Sequence, residues 1–365
     1  MWSGEGDQGI ANSMLRGTAV KKTTLLLTFL IVCGVGAAAP AEAQPNGTIV
    51  EQLPCAPRPV ATYEQYVEQR KTQLTRELQN AAAAGFSREM PPDFAQRLLT
   101  KDEFVERQAY GGSECQRIKY LSDGLKVVGF IWKPKATAGK KLPLVIFNRG
   151  GNRDFSKLAP RMKFGFYDYV VSGFVVIGSQ YRGNDGGEGT EEFGGADVRD
   201  VLNLIPLARS LGYVDMNNVF MLGVSRGGMM TLLALKNSVP VNAAAIEGGM
   251  ADLVSSRDQR RDMLDVFKEL IPGFPARGEE ALRDRSAVYW PTAINVPLLI
   301  LQGGADWRVD PRTNGLALAQ KLQEAGKTYE LTVYAGDDHG LSLNTVDADR
   351  RIIAWFKRHM KQPGS

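Results

Sequence analysis

Histidine and cysteine are scarce in this chain. Its 365 residues contain two histidines and three cysteines, with neither a Cys-x-x-Cys nor a His-Glu-x-x-His spacing. A structural or catalytic zinc site therefore has no support, and no metal or cofactor is expected. Lysine and arginine do not cluster with interleaved aromatics, and the formal net charge is only +4, so nucleic acid is not an expected partner. Internal repeats and low-complexity tracts are missing. Long apolar runs are missing too, apart from Leu25–Ala39. What is present is a 44% hydrophobic composition over 365 residues, enough for one large α/β domain with a small appendage.

The apolar run has a place near the N-terminus. Arg16, Lys21 and Lys22 precede it, and Ala41–Glu42–Ala43 follow it with small residues before Gln44. This is the pattern of an export signal, predicted to cover residues 1–43 and to be removed, leaving no stable membrane span. The run is short for a span and ends in small residues and Pro40. Met14 is an alternative start to Met1. Cleavage after Ala43 leaves Cys55 and Cys115 as the only thiols. In an oxidising compartment they can close a loop of about 60 residues, worth on the order of 4 kcal/mol in the entropic account. The expected location is periplasmic or secreted.

Residues 44–110 read as an N-terminal helical segment. Gln44 to Pro59 is polar and extended; Tyr63–Ala84 and Asp93–Arg107 have helical composition, separated by Pro91–Pro92. Packing against the sheet is the favoured role for this segment, with cover over a site as the alternative. From Cys115 strand-like runs take over. Arg117–Tyr120 and Lys126–Trp132 flank a turn at Ser122–Asp123–Gly124. Leu142–Phe147, Phe174–Gly178, Val219–Val224, Ala243–Ile246, Leu298–Leu301 and Leu331–Tyr334 follow as further strands. Helical patterns around 161–171, 197–209, 229–235, 313–324 and 350–360 lie between or after them. The glycine-rich loop 181–189 reads as too flexible for a core. Such alternation predicts an α/β fold over 111–365: a mostly parallel twisted sheet with helices on both faces. Residues 250–290 interrupt the alternation and read either as a cap over the site or as a structural excursion.

Chemistry enters at Gly223–Val224–Ser225–Arg226–Gly227. An apolar strand runs into this Gly-x-Ser-x-Gly, and a run of helix formers leaves it. Strand, tight turn and helix is the setting in which such a serine stands clear of the backbone as a nucleophile. Glycines are required on either side because a Cβ would collide with the neighbouring strand or helix. A serine hydroxyl needs a base, and only two histidines exist. His359 ends the last helix beside Lys357 and Arg358, where it suits the negative helix end. His339 lies in a loop just past a strand, where sites of open α/β sheets gather, and is assigned as the base. The acid is expected between Ser225 and His339 at a strand end. Asp310 precedes Pro311 and reads as a helix N-cap, which leaves Asp306. Asp337 and Asp338 are expected to shape the histidine loop. The oxyanion donors are expected from the Arg226 N–H and from the loop Asn148–Arg149–Gly150–Gly151. Whether Asn148 and Arg149 serve there through backbone or side chain stays open. The Arg226 side chain faces either a substrate anion or a salt bridge, and Trp307 and Phe267 face either the pocket or the core.

These residues together resemble the catalytic domain of the prolyl oligopeptidase family of α/β-hydrolases, from about Cys115 to the C-terminus. The resemblance rests on Tyr181–Arg182–Gly183 with its glycine-rich loop and on Gly223-x-Ser225-x-Gly227–Gly228. It also rests on Gly304–Ala305–Asp306 with Val309 and Pro311, and on Asp338–His339–Gly340. It implies nucleophile Ser225, acid Asp306 and base His339. Two departures stand out. No tyrosine occupies the loop 148–151, where family peptidases commonly carry an oxyanion-binding one, and only the helical segment stands where a β-propeller usually precedes. The expected function is an exported serine hydrolase that cleaves a peptide or ester bond through an acyl-enzyme, with a short peptide or small ester as substrate. The alternatives are a small-molecule carboxylesterase of the acetyl esterase or dienelactone hydrolase type, and a non-catalytic binding protein on the same scaffold.

Overall fold

The structure is a computed structural model. It describes residues 44–56, 61–83, 85–86, 89–137, 139–163 and 165–362. The expected export signal, with both possible starts and Cys33, lies outside them.

The elements are set out here in chain order. The N-terminal segment forms strand β1 (Ile49–Pro54) and helices α1 (Tyr63–Ala83) and α2 (Lys101–Ala109). Strands β2 (Ser113–Ser122), β3 (Leu125–Pro134) and β4 (Leu142–Asn148) lead to α3 (Tyr167–Val171) and β5 (Val175–Ser179). Helices α4 (Val198–Leu202) and α5 (Leu204–Ser210) precede β6 (Val214–Val224), α6 (Arg226–Lys236) and β7 (Ala243–Glu247). Four short helices follow: α7 (Leu253–Gln259), α8 (Arg261–Leu270), α9 (Phe274–Arg277) and α10 (Glu279–Arg283). Then come β8 (Leu298–Gly303), α11 (Gly315–Glu324), β9 (Tyr329–Tyr334) and α12 (Thr345–Arg358).

All nine strands join one sheet in the order β1-β2-β3-β5-β4-β6-β7-β8-β9. The first three and β5 pair antiparallel; from β5 through β4 to β9 every pairing is parallel. The β2–β3 hairpin closes at Asp123–Gly124, both with positive φ (53° and 80°), as a two-residue hairpin turn demands. Side-chain alternation along β6 supplies two cores. Val219 and Met221 join one cluster with Met229 and Leu233 of α6. Phe220 and Leu222 join the other, with Tyr169 of α3 and Ile352 and Phe356 of α12. The register sets Asn148 of β4 level with both Ser179 of β5 and Gly223 of β6, so the carboxyl ends of the central strands share one rim.

Four expectations need correction. The N-terminal segment is not only helical: β1 pairs with β2 and extends the sheet, and Cys55 is disulfide-bonded to Cys115 with their Cα atoms 5.3 Å apart. The helix expected near 197–209 divides at Asn203, because Pro206 has no N–H to give to the carbonyl four residues back. The stretch 161–171 holds a 3₁₀ turn and only the short α3. The loop 181–189 is not solvent-dominated: Tyr181, Arg182 and Asn184 are buried. Tyr181 donates to the Arg149 carbonyl (3.0 Å) and Arg182 pairs with Asp200 (2.7 Å). Partners more than 15 residues away, invisible to local composition, draw this loop inward. Among the described residues no helix is long and apolar enough to cross a membrane.

Candidate active site

Strand β6 delivers Ser225 to a turn of unusual shape. Its φ is 58° and its ψ −123°, a conformation that costs a non-glycine residue about 1–3 kcal/mol and persists only when its surroundings enforce it. They do so through the backbone. The Ser225 N–H donates to Glu247 O (2.9 Å), and the Ser225 carbonyl accepts from Gly228 N (2.9 Å) and Met250 N (3.1 Å). A Cβ on Gly227 would strike the Asn148 carbonyl, and one on Gly223 would strike Gly227 and Thr231. Both glycines are thus fixed by close approach, and α6 starts at the residue after the serine.

His339 stands in the loop after β9 and Asp306 in the loop after β8. The His339 Nδ1 lies 2.8 Å from Asp306 Oδ2. The Asp306 carboxylate is fully buried and well held: its Oδ1 accepts from the N–H groups of Arg308 and Val309 (both 2.9 Å), its Oδ2 from Gln302 Nε2 (3.0 Å). Asp337 accepts from Leu343 N and Asn344 Nδ2, and Asp338 from Gly340 N and Ser342 N, so both shape the loop that carries the histidine. Ser225 and His339 line the same cavity. A hydroxyl–imidazole bond is not among the hydrogen bonds formed by the described residues; such links commonly tighten only around a substrate. His359 closes α12, with Nδ1 2.9 Å from Trp355 O.

Asp310 is not the N-cap of the following helix. Asn314 holds that place, and Asp310 instead receives the Arg312 N–H (2.8 Å) in a turn ahead of α11. The intervening turn sets the helix back by four residues, which the Asp–Pro pair does not reveal.

The expected oxyanion donors divide. The Arg226 N–H opens α6, where no intrahelical acceptor exists for it. The Asn148 side chain is turned away: buried, it donates to Thr231 Oγ1 (2.8 Å) and does not line the cavity. The Arg149 guanidinium is also committed, donating to the carbonyls of Gln180, Gly150, Phe155 and Arg153. A side-chain donor from either residue is therefore corrected. The residue that approaches Ser225 is Gly150: a Cβ there would lie 3.1 Å from Ser225 Cβ and 3.7 Å from its Oγ. The Arg226 side chain is buried in ion pairs with Glu191 and Asp197, the latter at 2.7 Å, and its Nη1 donates to Gly151 O. Of its two readings, the salt bridge holds.

The cavity measures about 580 Å³. Ser225 and His339 line it, together with residues of the loop 149–156. Met250 and residues of α8 with the turn before it, among them Met263 and Val266, also line it, so the first part of the stretch 250–290 borders the cavity. One further part of the lining was not foreseen in the favoured reading. Gln73 and Glu77 of α1 line the cavity, and Glu77 pairs with Arg308 (2.7 Å) and accepts from Trp307 Nε1 (3.1 Å). The N-terminal segment is thus part of the site. Phe267 is core, packed edge-on against Phe193, and Trp307 supports Glu77 rather than lining the cavity. Sequence reasoning had Gly150 only as one member of the loop 148–151, and it missed Glu77, Arg260 and Arg308. Glu77 is one acid among several on a polar helix, and nothing local sets it apart.

The chain has relatives among known proteins. The family model described as the prolyl oligopeptidase family matches residues 163–363. An uncharacterized peptidase of Bacillus subtilis, YtmA, is 29% identical over 245 residues, which cover 67% of this chain and 92% of that protein. The acylamino-acid-releasing enzyme 1 of rice (Oryza sativa subsp. japonica) is 26% identical over 264 residues, covering 66% of this chain. That match spans only 33% of the rice enzyme. Among solved structures, the acylaminoacyl peptidase of Pyrococcus horikoshii superposes with a TM-score of 0.61 at 20% identity, over 73% of this chain and 45% of that one. Acetyl xylan esterase 1 from Thermoanaerobacterium gives 0.52 at 16% identity, over 76% and 98%. These structural likenesses concern the fold, an α/β-hydrolase sheet.

Proposed function

The chain belongs to the prolyl oligopeptidase family, and from that premise we propose that it is a serine peptidase acting on short peptides through an acyl-enzyme. Ser225 Oγ attacks the scissile carbonyl. His339 takes the hydroxyl proton and returns it to the departing amine, while Asp306 holds Nδ1 and stabilises the charged ring. The Arg226 and Gly150 N–H groups receive the oxyanion. Losing one such donor in a comparable site costs about 3 kcal/mol of transition-state stabilisation. Water then repeats the sequence on the acyl-enzyme. The observation that carries the reading is the buried Asp306 carboxylate 2.8 Å from His339 Nδ1, on the cavity that Ser225 shares.

The names of the relatives favour peptides over simple esters. The Cys55–Cys115 bond and the signal-like start support export to an oxidising compartment, periplasmic or extracellular. The test pairs labelling with turnover. A fluorophosphonate should label wild type at Ser225, and Ser225→Ala should neither label nor hydrolyse peptide anilides while keeping its melting temperature. A folded Ser225→Ala variant that retains near-normal turnover would falsify the assignment. Faster turnover of p-nitrophenyl esters than of every peptide anilide would move the protein to the esterases.

A further inference from the structure

Arginine dominates the charge around the cavity: Arg149, Arg226, Arg260 and Arg308 line it against two acids, Glu77 and Asp262. Arg149 and Arg226 are used up internally, as described above. The other two stand together. The Arg260 Nη1 reaches the Arg308 carbonyl (3.4 Å), and the two guanidinium carbons lie 5.6 and 4.7 Å from the Trp307 ring centre. Arg308 is engaged along one edge only, and Arg260 along the edge that faces Asp262 and, through Nη1, at the Arg308 carbonyl. Arg308 holds Glu77 through Nη2 (2.7 Å) and Nε (3.4 Å), and its Nη1 makes no hydrogen bond among the described residues. Arg260 holds Asp262 through Nε and Nη2. Asp262 is 64% exposed, so its pair is of the weak, exchangeable kind. Arg308 stands on the loop that carries Asp306 and lines the same cavity as His339, and its partner Glu77 lies within electrostatic reach of that imidazole. On the peptidase reading, the group that gives its proton to the leaving amine marks this as the leaving-group side.

We propose that Arg260 and Arg308 form a carboxylate clamp for the leaving portion of the substrate. The inference rests on the peptidase reading and narrows it to short peptides that carry a carboxylate just beyond the scissile bond. A guanidinium presents paired N–H donors in a plane that matches the two oxygens of a carboxylate. A substrate carboxylate takes the Arg260 edge from the exposed Asp262 and the open Nη1 of Arg308, whose other edge stays on Glu77. The carboxylate is supplied either by a free C-terminus or by an acidic side chain at that position.

The test uses the full chain with Ser225→Ala, so that binding is read without turnover. Three N-acetyl tripeptides are titrated by calorimetry: Phe-Ala-Ala with a free C-terminus, its C-terminal amide, and Phe-Ala-Glu as the amide. At least one carboxylate form should bind about tenfold or more tightly than the neutral amide. Which one gains tells terminal from side-chain carboxylate. Arg260→Gln and Arg308→Gln, each added singly, should erase the ratio, and Arg260→Lys should keep part of it. Melting curves establish that each variant folds, and Arg260→Gln on the cap suffices should Arg308→Gln not fold. Equal binding of the acid and amide forms, no binding of any of them, or an unchanged ratio in Arg260→Gln would overturn the clamp. Fluorophosphonate labelling of the wild type reports on the catalytic reading separately. A protein that discriminates but does not label keeps the clamp and loses the peptidase.

Discussion

At the residue scale the site depends on atoms that cannot be exchanged. Gly227 has no room for a Cβ against the Asn148 carbonyl, and Ser225 keeps its positive φ because three backbone hydrogen bonds hold both its ends. Asp306 shows the same economy. One oxygen is filled by two backbone N–H groups, and the other faces His339 Nδ1 and Gln302. Asp306→Asn keeps the volume but puts an amide NH₂ where an acceptor is needed, either against Nδ1 or against the two N–H groups. It forces the imidazole into the wrong tautomer or tilts it away. The expected outcome is a fall in kcat of about 10⁴ with little change in melting temperature, by analogy with the serine protease case in which this change has been made. Steady-state kinetics at saturating substrate checks it, and a fall of less than tenfold would mean that Asp306 does not orient the base.

At the element scale the informative part is α1. It is polar, with only Leu74 and Ala81 buried, so neither its own periodicity nor its propensity says where it sits. Leu74 packs in a small cluster with Phe94, Leu98 and Leu343, next to the histidine loop. Arg70 donates to the Ser342 carbonyl (3.0 Å) and Glu77 holds Arg308. One apolar anchor and two polar ties dock a helix that walls the cavity. Leu74→Ala should weaken that docking by about 2–5 kcal/mol, the usual cost of opening a cavity at a buried leucine. The readout is hydrogen exchange: amides of 63–83 should exchange faster while those of β6 stay protected. Uniform loss of protection would mean instead that α1 is an integral part of the global fold.

At the scale of the whole molecule, a sheet buried on both faces leaves few places for charge, and Glu247 at the carboxyl end of β7 and Asp349 on α12 carry the consequence. Burial, reinforced by Asp349, Asp337 and Asp338, pushes the Glu247 carboxyl up to about 8, and burial pushes Asp349 up to about 7. An unfolded glutamate releases its proton near about 4.3. Between these values the folded state holds more protons than the unfolded one, so stability falls as pH rises from about 4 to about 8. Glu247→Gln removes this term. Its melting temperature should exceed that of the wild type at pH 8 and match it near pH 4, which calorimetry across pH measures. A pH-independent difference would show that Glu247 is charged throughout.

Much of this molecule is local and was legible as such. The strand, strained turn and helix around Ser225 and the Asp–Gly hairpin follow from short-range rules. Apolar alternation, turn chemistry and glycine at forced approaches act within a few residues. What the fold alone decided is partnership. It bonded Asn148 to Thr231 and Arg149 to four carbonyls, buried Tyr181, Arg182 and Asn184 of the glycine-rich loop, and set α1 against the cavity through Glu77 and Arg308, 231 residues apart. A polar side chain can satisfy itself in many ways, and its choice is set by whichever backbone or charge arrives from elsewhere when the chain closes up. No window of sequence contains both members of such a pair.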